Sequence, residues 1–204
     1  MVQMFIDGGA FMWPILILLI FGIGISLERL WTLLRASVNT RKFIVNIKEA
    51  LSEGGVDKAI EVCENTRGPV ASIFHAGLMR SSRGLEHVEK AIANAGSIEM
   101  AFLERGLVWL ATIISVAPML GFTGTVAGMI QAFQDIAAAN EISPTIVAGG
   151  ISVALLTTLF GLVVAVAIQV LHNFFVSRID KLIIDMEESS NELVDTLIAI
   201  EGNK

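Results

Sequence analysis

The chain has 204 residues and a net charge of −6, and 54% of its residues are hydrophobic whereas only 17% are charged. With a mean hydropathy of +0.71, it is too apolar for an ordinary soluble domain, and its negative charge argues against nucleic acid as a partner. One cysteine and three histidines show no metal-binding spacing. We therefore expect a membrane protein that needs no metal or other cofactor.

Three runs of sequence without a charged residue are long enough to cross a bilayer. They are Gly8–Leu27, Gly106–Gln134 and Ile142–Ser177, and about 20 apolar helical residues suffice for one crossing. The first run lacks the basic start and the small-residue cleavage site of a secretory signal. The sequence therefore predicts an all-α membrane protein with three spanning helices.

The basic residues indicate the direction of these spans. All 14 Lys and Arg lie in residues 29–105, in residues 178–181 or at Lys204. Because basic residues concentrate on the cytoplasmic side, we expect the N-terminus outside and the C-terminus inside. The chain then divides into an outer N-terminus with the first span (1–34), a cytoplasmic helical domain (35–105), the second span (106–136), an outer loop (137–145), the third span (146–176) and a cytoplasmic C-terminal amphipathic helix (177–204).

The cytoplasmic segments read as helices, because they show no strand-like alternation. Helices are predicted at 41–51, 57–63 and 69–79, and nothing firmly breaks the chain between Leu85 and Pro118, so one helix is expected to run into the second span. The C-terminal helix carries an apolar stripe that packs either on the cytoplasmic helices of the same chain or on neighbouring subunits. The stripe comprises Ile179, Leu182, Ile183, Met186, Leu193, Leu197 and Ile200.

Small residues recur at steps of three and four in the second and third spans, so each set forms one stripe along its helix. Small residues let helices approach closely in lipid. Two interpretations are open: the spans pack only on each other as a hairpin, or part of each stripe faces another helix or a pore. We favour the second. The stripes are Ala117, Gly121, Gly124, Thr125, Gly128 and Ala132, and Gly150, Ala154, Thr158, Gly161 and Ala165.

Two threonines on these stripes are expected at the same depth. Thr125 lies 15 residues before Asn140, and Thr158 lies 18 residues after it. Such hydroxyls can bond to the carbonyl four residues earlier, yet two at matching depth also make a plausible polar ring in an oligomer. The candidate ion-pathway residues are Thr125, Thr158, Thr157, Ser152, Gly121, Gly124, Gly128, Ala154 and Gly161.

The spans also lack any Asp, Glu, Lys or Arg near their middle. Proton relays in membranes use titratable groups, and a hydroxyl does not readily carry a proton's charge at neutral pH. We therefore expect that this chain alone is not a complete proton channel and that the missing carboxylate comes from another subunit. No catalytic or phosphate-binding motif is present, so an enzyme is not expected.

Long stretches of the spans resemble a known family. Residues 117–130 read APMLGFTGTVAGMI, residues 150–155 read GISVAL, residues 157–162 read TTLFGL, and residues 28–31 after the first span read ERLW. They are similar to the MotA/TolQ/ExbB proton-channel family, most closely to its ExbB/TolQ branch. The similarity covers nearly the whole chain.

The resemblance implies a homopentamer in a bacterial inner membrane whose second and third spans line a central pore. Two copies of a single-span ExbD- or TolR-like partner would each place an Asp opposite Thr125 and Thr158. Ion passage would drive rotation of one component against the other, and the work would reach a periplasmic TonB- or TolA-like effector.

The chain departs from the family pattern at two positions. Val153 stands where many relatives have Glu, and Ala167 where many have Pro. The hydroxyls of Ser152 and Thr157 leave sodium coupling open, and a passive oligomeric scaffold without ion flux is the alternative to a motor.

Overall fold

The computed structural model describes residues 2–36, 40–139 and 144–202, and in these ranges every regular element is a helix. Three of the helical segments are long and apolar enough to cross a membrane, as the charge-free runs predicted. The helices are α1 (Val2–Asp7), α2 (Met12–Ala36), α3 (Thr40–Asn65), α4 (Pro69–Leu78), α5 (Leu85–Glu104), α6 (Leu107–Ala139) and α7 (Pro144–Gly202), with a single 3-10 turn at Ser81–Arg83.

The described chain forms two compact units. The first unit comprises Met1–Arg29 and Gly106–Phe174, and thus contains most of α2, all of α6 and the first part of α7. Gly22 lets α2 approach both other helices, because a Cβ atom there would lie 2.7 Å from Ile168 Cδ1 and 3.2 Å from Ile113 Cδ1. A small residue at this crossing point therefore lets α2 pack closely against α6 and α7.

The outer surface of the first unit is unusually apolar. Ile17, Phe122, Leu155 and Val166 are each more than 60% exposed. A water-soluble domain rarely exposes so many large apolar side chains on every helix. The hydrocarbon core of a bilayer accommodates such side chains, and a helix forms the hydrogen bonds of its backbone internally, so it can lie in lipid. The chain is therefore a membrane protein with transmembrane helices.

The second unit comprises Leu30–Arg105 and Phe175–Lys204. Its centre is α4, which packs against α3 on one side and α5 on the other. Ile73 and Phe74 of α4 are both 1% exposed, and the ring of Phe74 lies 5.4 Å from that of Phe43 on α3. Burial of these large side chains gives the unit its own hydrophobic core.

The sequence predicted one of two helix interruptions and missed the other. Gly55 adopts φ 71° and interrupts α3, between the helices predicted at 41–51 and 57–63. The expectation of one helix from Leu85 to Pro118 was wrong: α5 ends at Glu104, and Gly106 adopts φ 91° before α6 begins. Glycine enters this left-handed region without steric cost. Pro118 instead lies inside α6.

The C-terminal part of α7 packs within its own chain. Ile179, Met186 and Leu193 are 2–3% exposed, and Lys48 on α3 forms an ion pair with Glu192 on α7. Four of the seven residues of the predicted stripe, Ile179, Met186, Leu193 and Leu197, are therefore buried within the same chain. Leu182 and Ile183 are half-buried, and the side chain of Ile200 lies outside the described residues. The predicted outer loop falls partly on residues 140–143, which also lie outside them.

Cys63 is buried at the end of α3, with 3% of its surface exposed. Burial, with a smaller contribution from Glu64, raises the pKa of its thiol from an ordinary value of 9.0 to about 12. Because only the thiolate reacts, its alkylation at pH 8 should be about a thousandfold slower in the folded protein than in the denatured one. Timed labelling with a maleimide, read by mass spectrometry, measures this ratio; equal rates would mean that Cys63 is not buried.

Candidate ion-pathway site

The small residues of the second and third spans lie between α6 and α7. A Cβ atom at Gly161 would stand 2.6 Å from the carbonyl oxygen of Ala117, and one at Gly121 would stand 2.9 Å from that of Thr157. A Cβ atom at Gly128 would approach the backbone of Gly150 and Ala154 to 3.2 Å. The stripes therefore bring the two backbones into contact in a hairpin, which was the first of the two interpretations left open by the sequence.

Gly124 completes this contact against a side chain rather than against the backbone. A Cβ atom there would lie 2.7 Å from Cβ and Oγ1 of Thr157, so Thr157 occupies the space that a larger residue at position 124 would need. Ala154 is likewise buried, at 2% exposure. Five of the nine candidate pathway residues, Gly121, Gly124, Gly128, Ala154 and Gly161, thus serve the hairpin of a single chain.

The hydroxyls of Thr125 and Thr158 meet within this hairpin. Their Oγ1 atoms form a hydrogen bond in which either can donate, so the two helices carry these side chains at one depth, as their spacing from Asn140 predicted. Both residues are only half-buried, because they lie at the edge of the small-residue contact rather than inside it. The pair is the one place in this hairpin where two side chains on different helices join through polar atoms, within the part of the chain described.

Two backbone carbonyls complete the polar cluster. Thr125 Oγ1 lies 3.0 Å from the oxygen of Ala154 and 3.3 Å from that of Gly121, and Thr158 Oγ1 lies 3.2 Å from the same Gly121 oxygen. The two hydroxyl protons therefore have two consistent arrangements. Either Thr158 donates to Thr125, which donates to Ala154 or to Gly121, or Thr125 donates to Thr158, which donates to Gly121.

The other predicted hydroxyls are placed differently. Thr157 is 1% exposed, and its hydroxyl donates within its own helix, with the Ala154 oxygen at 2.9 Å and the Val153 oxygen at 3.2 Å. Ser152 is exposed. Thr123, which is not one of the candidate pathway residues, is also exposed and donates to Met119 at 2.8 Å. The structure thus joins Thr125 and Thr158 and separates them from Thr157, whose oxygen faces the interior of the hairpin.

The acceptors Gly121 and Ala154 were predicted as small residues but not as hydrogen-bonding partners. Main-chain carbonyls exist at every position, so the residue type carries no signal for this role. The small side chain is the indirect signal, since it lets the hydroxyl of the facing helix reach the backbone. The carbonyls add fixed dipoles to a region where neither helix carries a charged side chain between Gly106 and Gln134 or between Ile142 and Ser177.

The fold and the cluster together define a class of helical membrane proteins that place hydroxyls and carbonyls, but no charge, inside the bilayer. The sequence model of the MotA/TolQ/ExbB proton channel family matches residues 65–188, which is more than half of the chain. The chain belongs to this family. Its members are transport-associated channel proteins rather than enzymes.

Relatives lie in the ExbB/TolQ branch. An ExbB homologue of biopolymer transport from Methanothermobacter thermautotrophicus is 36% identical over 179 residues, 87% of this chain and 63% of the relative. An ExbB-like biopolymer transport protein from Synechocystis is 31% identical over 177 residues, 85% of this chain and 69% of the relative. The Tol-Pal system protein TolQ from Pseudomonas aeruginosa is 34% identical over 125 residues, 56% of this chain and 54% of the relative. The chain therefore spans less than two thirds of the Methanothermobacter and Pseudomonas relatives.

Proposed function

We propose that the chain is the channel-forming stator subunit of a motor in a bacterial inner membrane, driven by the proton motive force. The observation that carries this proposal is the half-buried pair of Thr125 and Thr158, set in two spans without a charged side chain. Both hydroxyls have partners within the hairpin, but the pair is only half-buried, and its oxygens can also accept a hydrogen bond from a group outside the chain.

The group expected opposite the pair is a carboxylate. Proton transfer across the membrane needs a titratable side chain. The chain has no Asp, Glu, Lys or Arg between Gly106 and Gln134 or between Ile142 and Ser177, and its one histidine there, His172, lies near the inner end of the third span, away from the threonine pair. A partner of the ExbD or TolR kind, with a single span bearing an Asp, would supply it. Val153, which replaces the Glu of many relatives, leaves such a path intact.

The assembly proposed around this site is a homopentamer enclosing two copies of the single-span partner. Ion passage would turn one component against the other and do work on a periplasmic TonB- or TolA-like effector. The distribution of the 14 basic residues supports an outer N-terminus and an inner C-terminus, so Leu30–Arg105 and the end of α7 would lie in the cytoplasm. The domain limits drawn from the sequence are proposed with this orientation.

A passive oligomeric scaffold is the second candidate. It is favoured by the packing of Gly121, Gly124, Gly128 and Gly161 inside the hairpin of one chain, which needs no pore. The two candidates differ in their dependence on the ion gradient. Activity that survives an uncoupler would favour the scaffold, whereas activity that collapses with the proton gradient supports the motor.

Sodium coupling is a variant of the motor rather than a separate function. Of the two hydroxyls that left it open, Thr157 is turned into the hairpin and Ser152 is exposed. Proton coupling is the version we propose, because the family whose model matches the chain is a proton channel family. Activity that follows the external sodium concentration at constant proton gradient would replace it with the sodium version.

Native mass spectrometry tests the assembly directly, on complexes purified through a tag on this chain from its own cells. Five copies of the chain with two copies of a small single-span protein are expected, and the sequence of that protein should contain an Asp in its span. A homo-oligomer without such a protein, together with no cross-linked partner in intact cells, would contradict the motor and support the scaffold.

A further inference from the structure

A cavity of about 550 Å³ opens on the second unit, apart from the threonine pair. Its walls are the end of α2, the start of α4 and the end of α5. Two arginines, Arg35 and Arg67, and one carboxylate, Glu99, line it together with the aromatic side chains of Trp31 and Phe102. Its size is that of a small-molecule site, and its lining combines both signs of charge with apolar surface.

The charged side chains of this cavity are available to bind a ligand. Among the residues that the structure describes, Arg35, Arg67 and Glu99 form no ion pair with one another or with any other side chain. The guanidinium of Arg35 lies over the ring of Trp31, 4.0 Å from its centre. Stacking orients this guanidinium while leaving its N–H groups at the edges available, the arrangement in which arginine binds phosphate through two donors.

The depth of the cavity indicates where its ligand comes from. Trp31 follows the last residue of the first charge-free run, Leu27, by four positions, a rise of about 6 Å along a helix. Tryptophans favour the headgroup layer, and Trp31 is 59% exposed beside Leu34, which is 67% exposed. A phosphate at headgroup depth with apolar helix surface next to it is the chemistry of a phospholipid.

We propose that this cavity binds the headgroup of one phospholipid of the inner leaflet, with Arg35 and Arg67 on its phosphate and Glu99 on an ammonium group. Glu99 selects the headgroup: ethanolamine offers N–H donors to the carboxylate, choline offers a cation without donors, and glycerol offers no cation. The preferred lipid is therefore phosphatidylethanolamine. The inference rests on the proposed function, whose membrane orientation places residues 35–105 on the cytoplasmic side of the membrane.

Lipid retention in native mass spectrometry tests the site. The full-length chain is reconstituted in nanodiscs containing equal amounts of phosphatidylethanolamine, phosphatidylglycerol and phosphatidylcholine, and the lipids that stay bound to each protomer are counted. Phosphatidylethanolamine should be enriched by about tenfold over the other two, the scale of one charge-assisted hydrogen bond. Equal retention of the three lipids would overturn the proposal.

Two sets of variants locate the binding. Replacing both arginines (R35A and R67A) should abolish the enrichment, whereas the matched pair R80A and R83A, which removes two exposed arginines of the same unit, should leave it unchanged. Enrichment that survives R35A and R67A would exclude this cavity. The variant Glu99→Gln keeps the size of the side chain and should make phosphatidylethanolamine and phosphatidylglycerol equal while both remain bound. Unchanged selectivity in this variant would refute the role of Glu99, even if the double arginine variant misfolds.

The readout also separates this site from the proposed motor. Lipid retention requires neither ion flux nor a partner subunit, so a chain that fails to support ion-driven activity would still show the enrichment if the cavity is correctly assigned. Conversely, a complex of five chains and two partners that shows no lipid selectivity would support the motor and contradict the lipid site.

Discussion

Replacing Thr125 with Val should stop ion-driven activity while the protein still assembles, and Thr158→Val should do the same. Valine keeps the size and branching of threonine and removes the hydroxyl that we propose meets the partner's carboxylate. Loss of one preorganised donor at a site where charge develops lowers rates by about a hundredfold. The expected result is therefore a fall of that order in an activity driven by the proton gradient, measured in cells or in reconstituted vesicles with the partner present.

The local geometry explains why these variants should fold. In Thr125→Val, the hydroxyl of Thr158 can still donate to Gly121 at 3.2 Å. In Thr158→Val, the hydroxyl of Thr125 can still donate to Ala154 at 3.0 Å. No donor is left unpaired, and loss of one hydrogen bond between helices in a membrane costs about 0.6 kcal/mol.

The matched control is Thr123→Val. Thr123 lies two residues from Thr125 on α6, is exposed, and donates only to Met119 of its own helix. The change of chemistry and size is the same, but the helix turns its side chain away from Thr158. Activity should stay near the wild-type level. Full activity in both Thr125→Val and Thr158→Val, or an equal loss in Thr123→Val, would contradict the role of the pair.

Gly161→Ala should destabilise the protein by about 1–3 kcal/mol, the cost of forcing an extra methyl group into a packed contact. The added Cβ would lie 2.6 Å from the carbonyl oxygen of Ala117 and 3.2 Å from the Cα of Gly121. These are backbone atoms, so no side chain can rotate away and the two helices must separate. The hydrogen bond between Thr125 and Thr158 would weaken with them, and activity should fall together with stability.

Gly149→Ala is the control on the same helix, because nothing lies within 4 Å of a Cβ atom at Gly149. Alanine is the better helix former, so this variant should be as stable as the wild type or more stable by about 0.5–1 kcal/mol. The free energy of unfolding, measured by denaturant titration in detergent, separates the two variants. Equal stability of Gly161→Ala and Gly149→Ala would show that α6 and α7 do not meet at Gly161.

Much of the architecture could be predicted because charge and length are strong constraints in a membrane. Three charge-free runs predicted three spanning helices, and counting from Asn140 predicted that Thr125 and Thr158 share a depth. The break at Gly106 could not be predicted in this way. A single glycine is tolerated within a helix, and only its φ of 91° shows that the chain turns there.

The sequence also could not show whether the small-residue stripes face the other span of the same chain or a neighbouring chain. Glycines at steps of three and four fit a hairpin within one chain and a contact between chains equally well. The sequence favoured a role beyond the hairpin, whereas the structure places Gly121, Gly124, Gly128 and Gly161 inside it. Thr157 and Thr158 are neighbours in sequence, yet the turn of about 100° between consecutive helical residues buries one hydroxyl and leaves the other at the edge.

The two proton arrangements of the Thr125 and Thr158 pair have a consequence for an acid placed beside it. A hydroxyl can donate to an ionised carboxylate and accept from a protonated one, and the pair changes between these states by rotating O–H bonds, without moving a carbon atom. An arginine or lysine in the same place would instead hold the acid in its ionised form. The pair can therefore stabilise both the ionised and the protonated acid inside the bilayer without favouring either. The protonation state of the acid would then be set by the pH of the water on the side to which it is exposed.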